Sequence, residues 1–346
     1  MIPEEQKNVL DAWQTSARYW EKYRALITRM FAPLTSALVE EARITIGQHV
    51  LDVGGGSGEP SLTISSIVGP TGSVMYTDPV SGMVESAQAE AGRQGKTNIH
   101  FRQCSADKLP FADRTFDAAV GRLSAMFFLD PATAMREVLR VTLDGGYVSF
   151  AVWGPKKANP FFSTITDVID QFAEVSAEDP DAPDVFRFAT NRKLAGILEE
   201  VGAKDVTERQ TNFQIEAPIS IERFWQLRSE MSETLRGKMA KLTPAQLLTV
   251  KQAVADAAQR YFLSGTMSFP AEALIVSGRK RVDSGRHQPR FSAKTARVAS
   301  VFRLLLPKAG WNWAGSQQSI AEGEQSGSQT RIAATDGGSL YVPMKS

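Results

Sequence analysis

The sequence contains very little cysteine and histidine. Cys104 is the only cysteine among 346 residues, so no disulfide can form within the chain and no cysteine-based metal site is expected. Of the three histidines, His49 leads into one predicted strand, His100 lies inside another, and His287 belongs to the C-terminal part of the chain. None of them is expected to face a substrate. The pattern therefore predicts no metal site and no histidine base, and it leaves the catalytic residues unassigned.

The sequence also lacks long apolar runs and a strong net charge. No run approaches the ~18 residues that a helix needs to span a bilayer, and the first residues, MIPEEQKNVL, are too polar for a secretory signal. A net charge of +1 favours neither nucleic acid nor an anionic membrane as a partner. We therefore expect a cytoplasmic protein that has no integral membrane segment and acts on a small molecule. The oligomeric state stays open.

Strand and helix patterns alternate between His49 and Trp153. Short apolar runs alternate with segments whose apolar residues recur at helical spacing. Such alternation predicts a parallel sheet with helices on both faces. We expect an α/β, Rossmann-like fold with seven mostly parallel strands, preceded by N-terminal helices and carrying a helical cap inserted before the last strand.

Composition divides the chain further. After Trp153 the alternation stops, and a long segment rich in proline and phenylalanine follows. From Lys280 to Ser346 the chain carries ten lysine or arginine residues against four acids, with a stretch rich in glycine, serine and glutamine, which indicates a flexible basic tail. The predicted segments are N-terminal helices at 1–44, a domain at 45–280 with its core at 45–155, an insertion at 155–190, a helical cap at 218–264, and the tail at 281–346.

A buried strand runs into a cluster of glycines at VLDVGGGSGEP, residues 50–60. Gly54, Gly56 and Gly58 follow the pattern G-x-G-x-G, and Glu59 stands where a dinucleotide-binding loop has its third glycine. A carboxylate there repels a pyrophosphate from the helix N-terminus. No Gly-Lys-Ser/Thr follows at the required spacing, which excludes a Walker-type phosphate loop. The loop therefore favours a cationic nucleoside without phosphate, such as S-adenosylmethionine.

Further side chains stand where such a nucleoside needs them. Asp52 precedes the loop and is expected either to attract the cationic end or to cap the loop through backbone N–H groups. Asp78 ends the next strand, about 20 residues past the loop, where a carboxylate binds ribose hydroxyls. Met83 is either core or a wall for adenine, and Asp107, after the third strand, can accept from the exocyclic amine. Glu59 is either a first-turn acid or a contact for the methionine end.

Five segments together resemble a known family. They are VLDVGGGSGEP, YTDPVSGM, CSADKLPF, FDAAVGRL and LRVTLDGGYVSF. In order and spacing they are similar to class I S-adenosylmethionine-dependent methyltransferases, and most similar to the ubiquinone/menaquinone C-methyltransferase branch. The resemblance implies S-adenosylmethionine as cofactor, held by Gly54, Gly56, Gly58 and Asp78, with Asp107 as the acid of the third segment. The turn before the fifth strand reads LDGG, which departs from the family's Lys/Arg-Pro-Gly-Gly.

The expected activity is methyl transfer to a small, hydrophobic or aromatic, quinol-like acceptor by in-line displacement. Arg122 follows the fourth strand and either pairs with an anionic acceptor or forms a salt bridge with the acidic insertion. Two alternative functions remain open, a nicotinamide-dependent oxidoreductase and a non-catalytic regulatory protein that binds S-adenosylmethionine. Aromatic residues suggest an apolar acceptor cavity built from the insertion and the cap; they are Trp153, Phe161, Phe162, Phe186, Phe188, Phe224 and Trp225.

Overall fold

A central sheet organises the protein in the computed structural model, which describes residues 4–172, 179–263 and 265–282. Its strands are β1 (His49–Val53), β2 (Ser73–Asp78), β3 (Ile99–Gln103), β4 (Phe116–Arg122), β5 (Thr142–Trp153), β6 (Lys204–Ala217), β7 (Phe262–Leu263) and β8 (Thr266–Arg279). Their order is β3-β2-β1-β4-β5-β8-β6, and β7 pairs with β8. Neighbours among β1 to β5 are parallel, whereas β8 runs antiparallel to β5 and β6. The predicted fold class is confirmed, with the two-residue β7 as an addition to the seven-stranded path.

The helices fall into groups around this sheet. Within the described residues the α-helices are α1 (Glu4–Lys22), α2 (Arg24–Met30), α3 (Ala32–Glu41), α4 (Ser61–Val68), α5 (Ser81–Arg93), α6 (Pro131–Val141), α7 (Pro160–Ile169), α8 (Lys193–Glu200), α9 (Ile221–Met231), α10 (Glu233–Met239) and α11 (Pro244–Ala258). Helices α1–α3 precede the sheet, and α9–α11 lie in the chain between β6 and β8. Both groups were predicted. Apart from residues 281 and 282, the predicted tail lies outside the described residues. No helix in the described part of the chain is long and apolar enough to cross a membrane.

The parallel half of the sheet is covered on both faces because its strands are apolar along most of their length. In β1, every residue from Val50 to Val53 is buried, and in β2 every residue after Ser73 is buried. Leu62, Ile64 and Val68 of α4 pack into the same core cluster. Because β1 lies between β2 and β4, the strand order reverses there, and a crevice opens at the carboxyl ends of these strands.

Candidate functional site

A cavity occupies this crevice. Three parts of the chain line it: the glycine loop (residues 54–60) with the end of β2, the segments that follow β3 and β4, and the N-terminal helices. The segment after β3 contributes residues 104–107, and the segment after β4 contributes residues between Leu123 and Ala134. The cavity therefore lies where open parallel sheets bind their ligands.

The glycine loop adopts backbone conformations that side chains disfavour. Gly54, Gly56 and Gly58 have φ angles of 72°, 54° and 118°. Gly55 was not among the predicted positions, yet a Cβ added there would lie 2.4 Å from the ring of Tyr76. The same added atom would lie 2.8 Å from Asp52 Oδ2. All four glycines are therefore required by this loop, three by their backbone angles and Gly55 by close packing.

Asp78 connects the end of β2 with the glycine loop. Its Oδ2 accepts a hydrogen bond from the N–H of Gly56 at 3.0 Å, and its Oδ1 accepts one from the N–H of Val80 at 2.9 Å. Burial raises the pKa of Asp78 to about 6, although these two N–H groups oppose the rise. The side chain lines the cavity, and a carboxylate has more lone pairs than these two bonds use. Asp78 can therefore accept further hydrogen bonds from a ligand.

Asp52 lies beneath the glycine loop and is not among the residues that line the cavity. Its Oδ2 accepts from Ser61 Oγ at 2.6 Å, while its Oδ1 is buried without a partner in the described part of the chain. Burial raises the pKa of Asp52 to about 7, against the Ser61 hydrogen bond and the charge of Arg122. The structure does not support the predicted ligand contact, because Gly55 packs directly against this carboxylate. The bond observed here is to the Ser61 hydroxyl rather than to the predicted loop N–H groups.

Glu59 and Arg122 bring opposite charges to the cavity wall. Glu59 Oε2 is buried and accepts no hydrogen bond from any described residue. Arg122 donates from Nη1 to Thr35 Oγ1 of α3 at 2.8 Å. Burial lowers the pKa of Arg122, while the charges of Glu59 and Asp52 oppose this. Of the two roles considered for Arg122, a salt bridge with the insertion is not found among the described residues, and its position on the cavity leaves it available to a ligand.

Met83, Asp107 and Cys104 complete the cofactor side of the cavity. Met83 is buried beside Val80 and Ala17 and also lines the cavity, so it is both core and wall. Asp107 is exposed and lines the cavity from the segment after β3. Burial raises the pKa of the nearby Cys104 to about 12, which keeps this thiol protonated and unreactive.

The N-terminal helices form a wall of the cavity that the sequence did not predict. This N-terminal wall consists of Val9, Leu10, Trp13, Trp20 and Phe31. The ring of Trp13 meets Phe127 edge to face, with centroids 4.9 Å apart. Gln14 Oε1 accepts from Ser81 Oγ and from the N–H of Gly82, both at 3.2 Å, which fixes α1 against α5. The apolar spacing along α1 indicated a buried face, but it does not say which surface that face covers.

The aromatic residues expected around an acceptor cavity pack against one another instead. Phe161 of α7 contacts Phe224 of α9 and Phe269 of β8, with centroids 5.6 and 5.7 Å apart. Phe162 contacts Trp153 at 4.9 Å. None of the seven aromatic residues predicted for this role lines the cavity, and neither does any residue of α9–α11. The expectation of an acceptor cavity made by the insertion and cap is wrong, because these rings bury their apolar surface in a separate core.

Comparison with known proteins identifies the central part of the chain. Residues 51–150 match the family model described as a methyltransferase domain. These residues are a methyltransferase domain. They run from β1 to β5 and include the glycine loop, Asp78, Asp107 and Arg122, but not the N-terminal wall. The resemblance to class I S-adenosylmethionine-dependent methyltransferases, with their cofactor, is thereby confirmed.

Curated relatives agree with this assignment. The uncharacterized protein Rv1405c of Mycobacterium tuberculosis is 36% identical over 131 residues, which cover 38% of this chain and 46% of that protein. The ubiquinone/menaquinone biosynthesis C-methyltransferase UbiE of Haemophilus ducreyi is 40% identical over 101 residues, or 29% of this chain and 39% of that protein. The aklanonic acid methyltransferase DauC of a Streptomyces species is 30% identical over 144 residues, or 42% and 64%. The chain thus spans about half the length of the curated relatives it matches.

Proposed function

We propose that this chain is an S-adenosylmethionine-dependent methyltransferase that acts on a small, hydrophobic, aromatic acceptor. The observation that carries the proposal is the charge of the cavity beside the glycine loop of a methyltransferase domain. Four acids line it, Glu59, Asp78, Asp107 and Asp130, against Arg122 as the one lysine or arginine among the described lining residues. Such a cavity favours a cationic nucleoside and disfavours a pyrophosphate.

The nucleoside end of the cofactor is assigned to the β2 side of the cavity. Asp78 would accept hydrogen bonds from the ribose hydroxyls, as a carboxylate at the end of this strand does in related sheets. A Cβ added to Gly56 would meet nothing within 4 Å, so the loop leaves open space beside Asp78. Met83 offers an apolar surface for adenine, and Asp107 an acceptor for its amine.

The methionine end is assigned to Glu59 and Arg122. Glu59 has a carboxylate oxygen without a partner in the described part of the chain, which suits an ammonium group. Arg122 provides the opposite charge for a carboxylate. Together they match the two charges of an amino acid, whereas a nicotinamide dinucleotide carries no ammonium for Glu59.

S-adenosylmethionine, when bound, supplies an activated methyl group on a positively charged sulfur. The chain contributes position and the exclusion of water. Correct orientation alone can supply as much as ~7–11 kcal/mol in well-oriented systems. The N-terminal wall and Phe127 provide apolar surroundings, which favour a reaction that removes charge.

The acceptor is assigned from the rest of the cavity. Its free wall is aromatic and apolar, which supports a hydrophobic ring system, and the name of the Haemophilus relative indicates a quinone-type compound. The described lining residues include no histidine, lysine or tyrosine. We therefore propose that the acceptor brings an acidic proton, as a phenol or quinol does, or that a lining carboxylate such as Glu59 removes it.

Calorimetry tests the cofactor. S-adenosylhomocysteine should bind more tightly than NAD, and Asp78→Asn should raise its dissociation constant at least about tenfold, because an amide N–H₂ would face the N–H of Gly56 or Val80. The control is Asp113→Asn, an exposed acid that pairs with Arg140 and does not line the cavity. Tighter binding of NAD would favour the oxidoreductase instead.

A transfer assay tests the reaction. Purified protein, S-adenosylmethionine with a labelled methyl group, and a panel of quinols and phenols should give a labelled, extractable product. Label found only on the protein would contradict a small-molecule acceptor. Tight S-adenosylhomocysteine binding without transfer to any acceptor would favour the regulatory alternative.

A further inference from the structure

Arg24, at the start of α2, reaches from the N-terminal helices to the glycine loop. Its Nε donates to the carbonyl oxygen of Ser57 at 2.9 Å. Its Nη2 donates to the carbonyl oxygen of Ser86 on α5 at 2.9 Å and to the Ser86 hydroxyl. Its Nη1 lies 3.2 Å from Glu90 Oε2. One guanidinium therefore joins α2, the glycine loop and α5.

Glu90 holds this guanidinium in place. The Glu90 side chain is 7% exposed and also accepts hydrogen bonds from Arg93 and Gln94. The hydrogen bonds from Arg93 do most to hold the pKa of Glu90 down to about 2, so Glu90 stays ionised at neutral pH. The Arg24 side chain is itself 15% exposed, and its bonds are therefore largely shielded from water.

The Ser57 carbonyl belongs to a loop that other elements hold one group at a time. The N–H of Gly56 is held by Asp78, and the carbonyl of Gly56 accepts from the Tyr76 hydroxyl at 2.5 Å. The next carbonyl along the chain, that of Ser57, is held by Arg24. Ser57 lines the cavity, so a change in its peptide orientation changes the surface offered to a ligand.

We infer that Arg24 is a positioning residue for the cofactor, acting through the Ser57 carbonyl. The inference rests on the proposed function, since the ligand of the loop is taken to be S-adenosylmethionine. Arg24 lies outside the matched segment at residues 51–150. The methyltransferase domain therefore depends on α2 for the shape of its own glycine loop, and the site is incomplete without the N-terminal helices.

The test compares cofactor affinity with stability in three variants of the full chain. Arg24→Gln should raise the dissociation constant of S-adenosylhomocysteine about tenfold, which corresponds to about 1.4 kcal/mol. Arg24→Lys keeps a charge beside Glu90 but lacks the fork that also reaches Ser57 and Ser86, so it should restore the melting temperature without restoring affinity. Arg93→Gln is the matched control, because Arg93 contacts Glu90 but not the loop. It should leave affinity unchanged.

Hydrogen exchange provides a readout that needs no ligand. In the ligand-free protein, Arg24→Gln should speed exchange in a peptide covering the glycine loop, and Arg93→Gln should not. Unchanged affinity and loop exchange in both Arg24 variants would overturn the inference, as would an equal loss of affinity in Arg93→Gln. If the wild type fails to bind S-adenosylhomocysteine while loop exchange still responds to Arg24→Gln, the proposed function fails and the positioning of the loop by Arg24 stands.

Discussion

Replacing Asp52 by asparagine should change how the stability of the protein depends on pH. Asp52 is fully buried under the glycine loop, with Oδ2 bonded to Ser61 and Oδ1 unpaired within the described residues. Its pKa is raised from 3.8 to about 7 in the folded protein. The folded state therefore binds the proton more tightly than the unfolded state does, and stability is lost as pH rises between these two values.

The size of this loss follows from the shift. Each pKa unit corresponds to about 1.4 kcal/mol, so ionising the buried carboxyl removes about 4 kcal/mol from the free energy of unfolding above pH 7. About 2–3 kcal/mol of this falls between pH 5 and pH 8. In Asp52→Asn the amide is neutral at every pH. Its oxygen can accept from Ser61, while its N–H₂ lacks an acceptor at a cost of about 1–3 kcal/mol. That cost is constant and does not alter the dependence on pH.

Urea denaturation at several values between pH 5 and pH 8 measures the effect. The free energy of unfolding of Asp52→Asn, relative to the wild type, should rise by about 2–3 kcal/mol across this range. Asp113→Asn is the control and should run parallel to the wild type there, because Arg140 holds the pKa of Asp113 below its usual value. Parallel curves for Asp52→Asn and the wild type would refute the assignment of Asp52 as the buried acid with the raised pKa.

Two further substitutions separate packing from ligand contact. Gly55→Ala drives a Cβ against the buried ring of Tyr76 and should cost about 1–3 kcal/mol or more, together with S-adenosylhomocysteine binding, whereas Gly56→Ala has open space and should cost about 1–2 kcal/mol from its backbone angle. Urea denaturation and calorimetry would contradict this if Gly56→Ala proved the more damaging to stability. Tyr23→Phe removes the hydroxyl that donates to Glu230 at 2.8 Å and should cost about 1 kcal/mol. Its dissociation constant for S-adenosylhomocysteine should not change, since Tyr23 does not line the cavity, and a clear rise would contradict that placement.

The positions that the sequence predicted well are those that local rules fix. Gly56 and Asp78 follow the ends of β1 and β2, and parallel strands bring their carboxyl ends to the same edge of the sheet. Asp52 was misplaced because it lies inside β1 and not beyond its end, so its side chain belongs to a face of the sheet that α4 covers. Gly55 was passed over because its constraint comes from a ring on the neighbouring strand, which no local pattern shows.

Long-range packing decided the rest of the site. The sequence placed aromatic rings near the cap helices correctly but could not say that they meet one another and leave the cavity to α1. The cap still bears on the cavity, because Glu230 of α9 accepts from Lys22 and Tyr23 at the end of α1, and Arg236 of α10 donates to Ser16. The N-terminal wall is thus held by the cap on one side and by α5 on the other. Changes in the cap are therefore expected to reach the acceptor through α1, without any cap residue touching it.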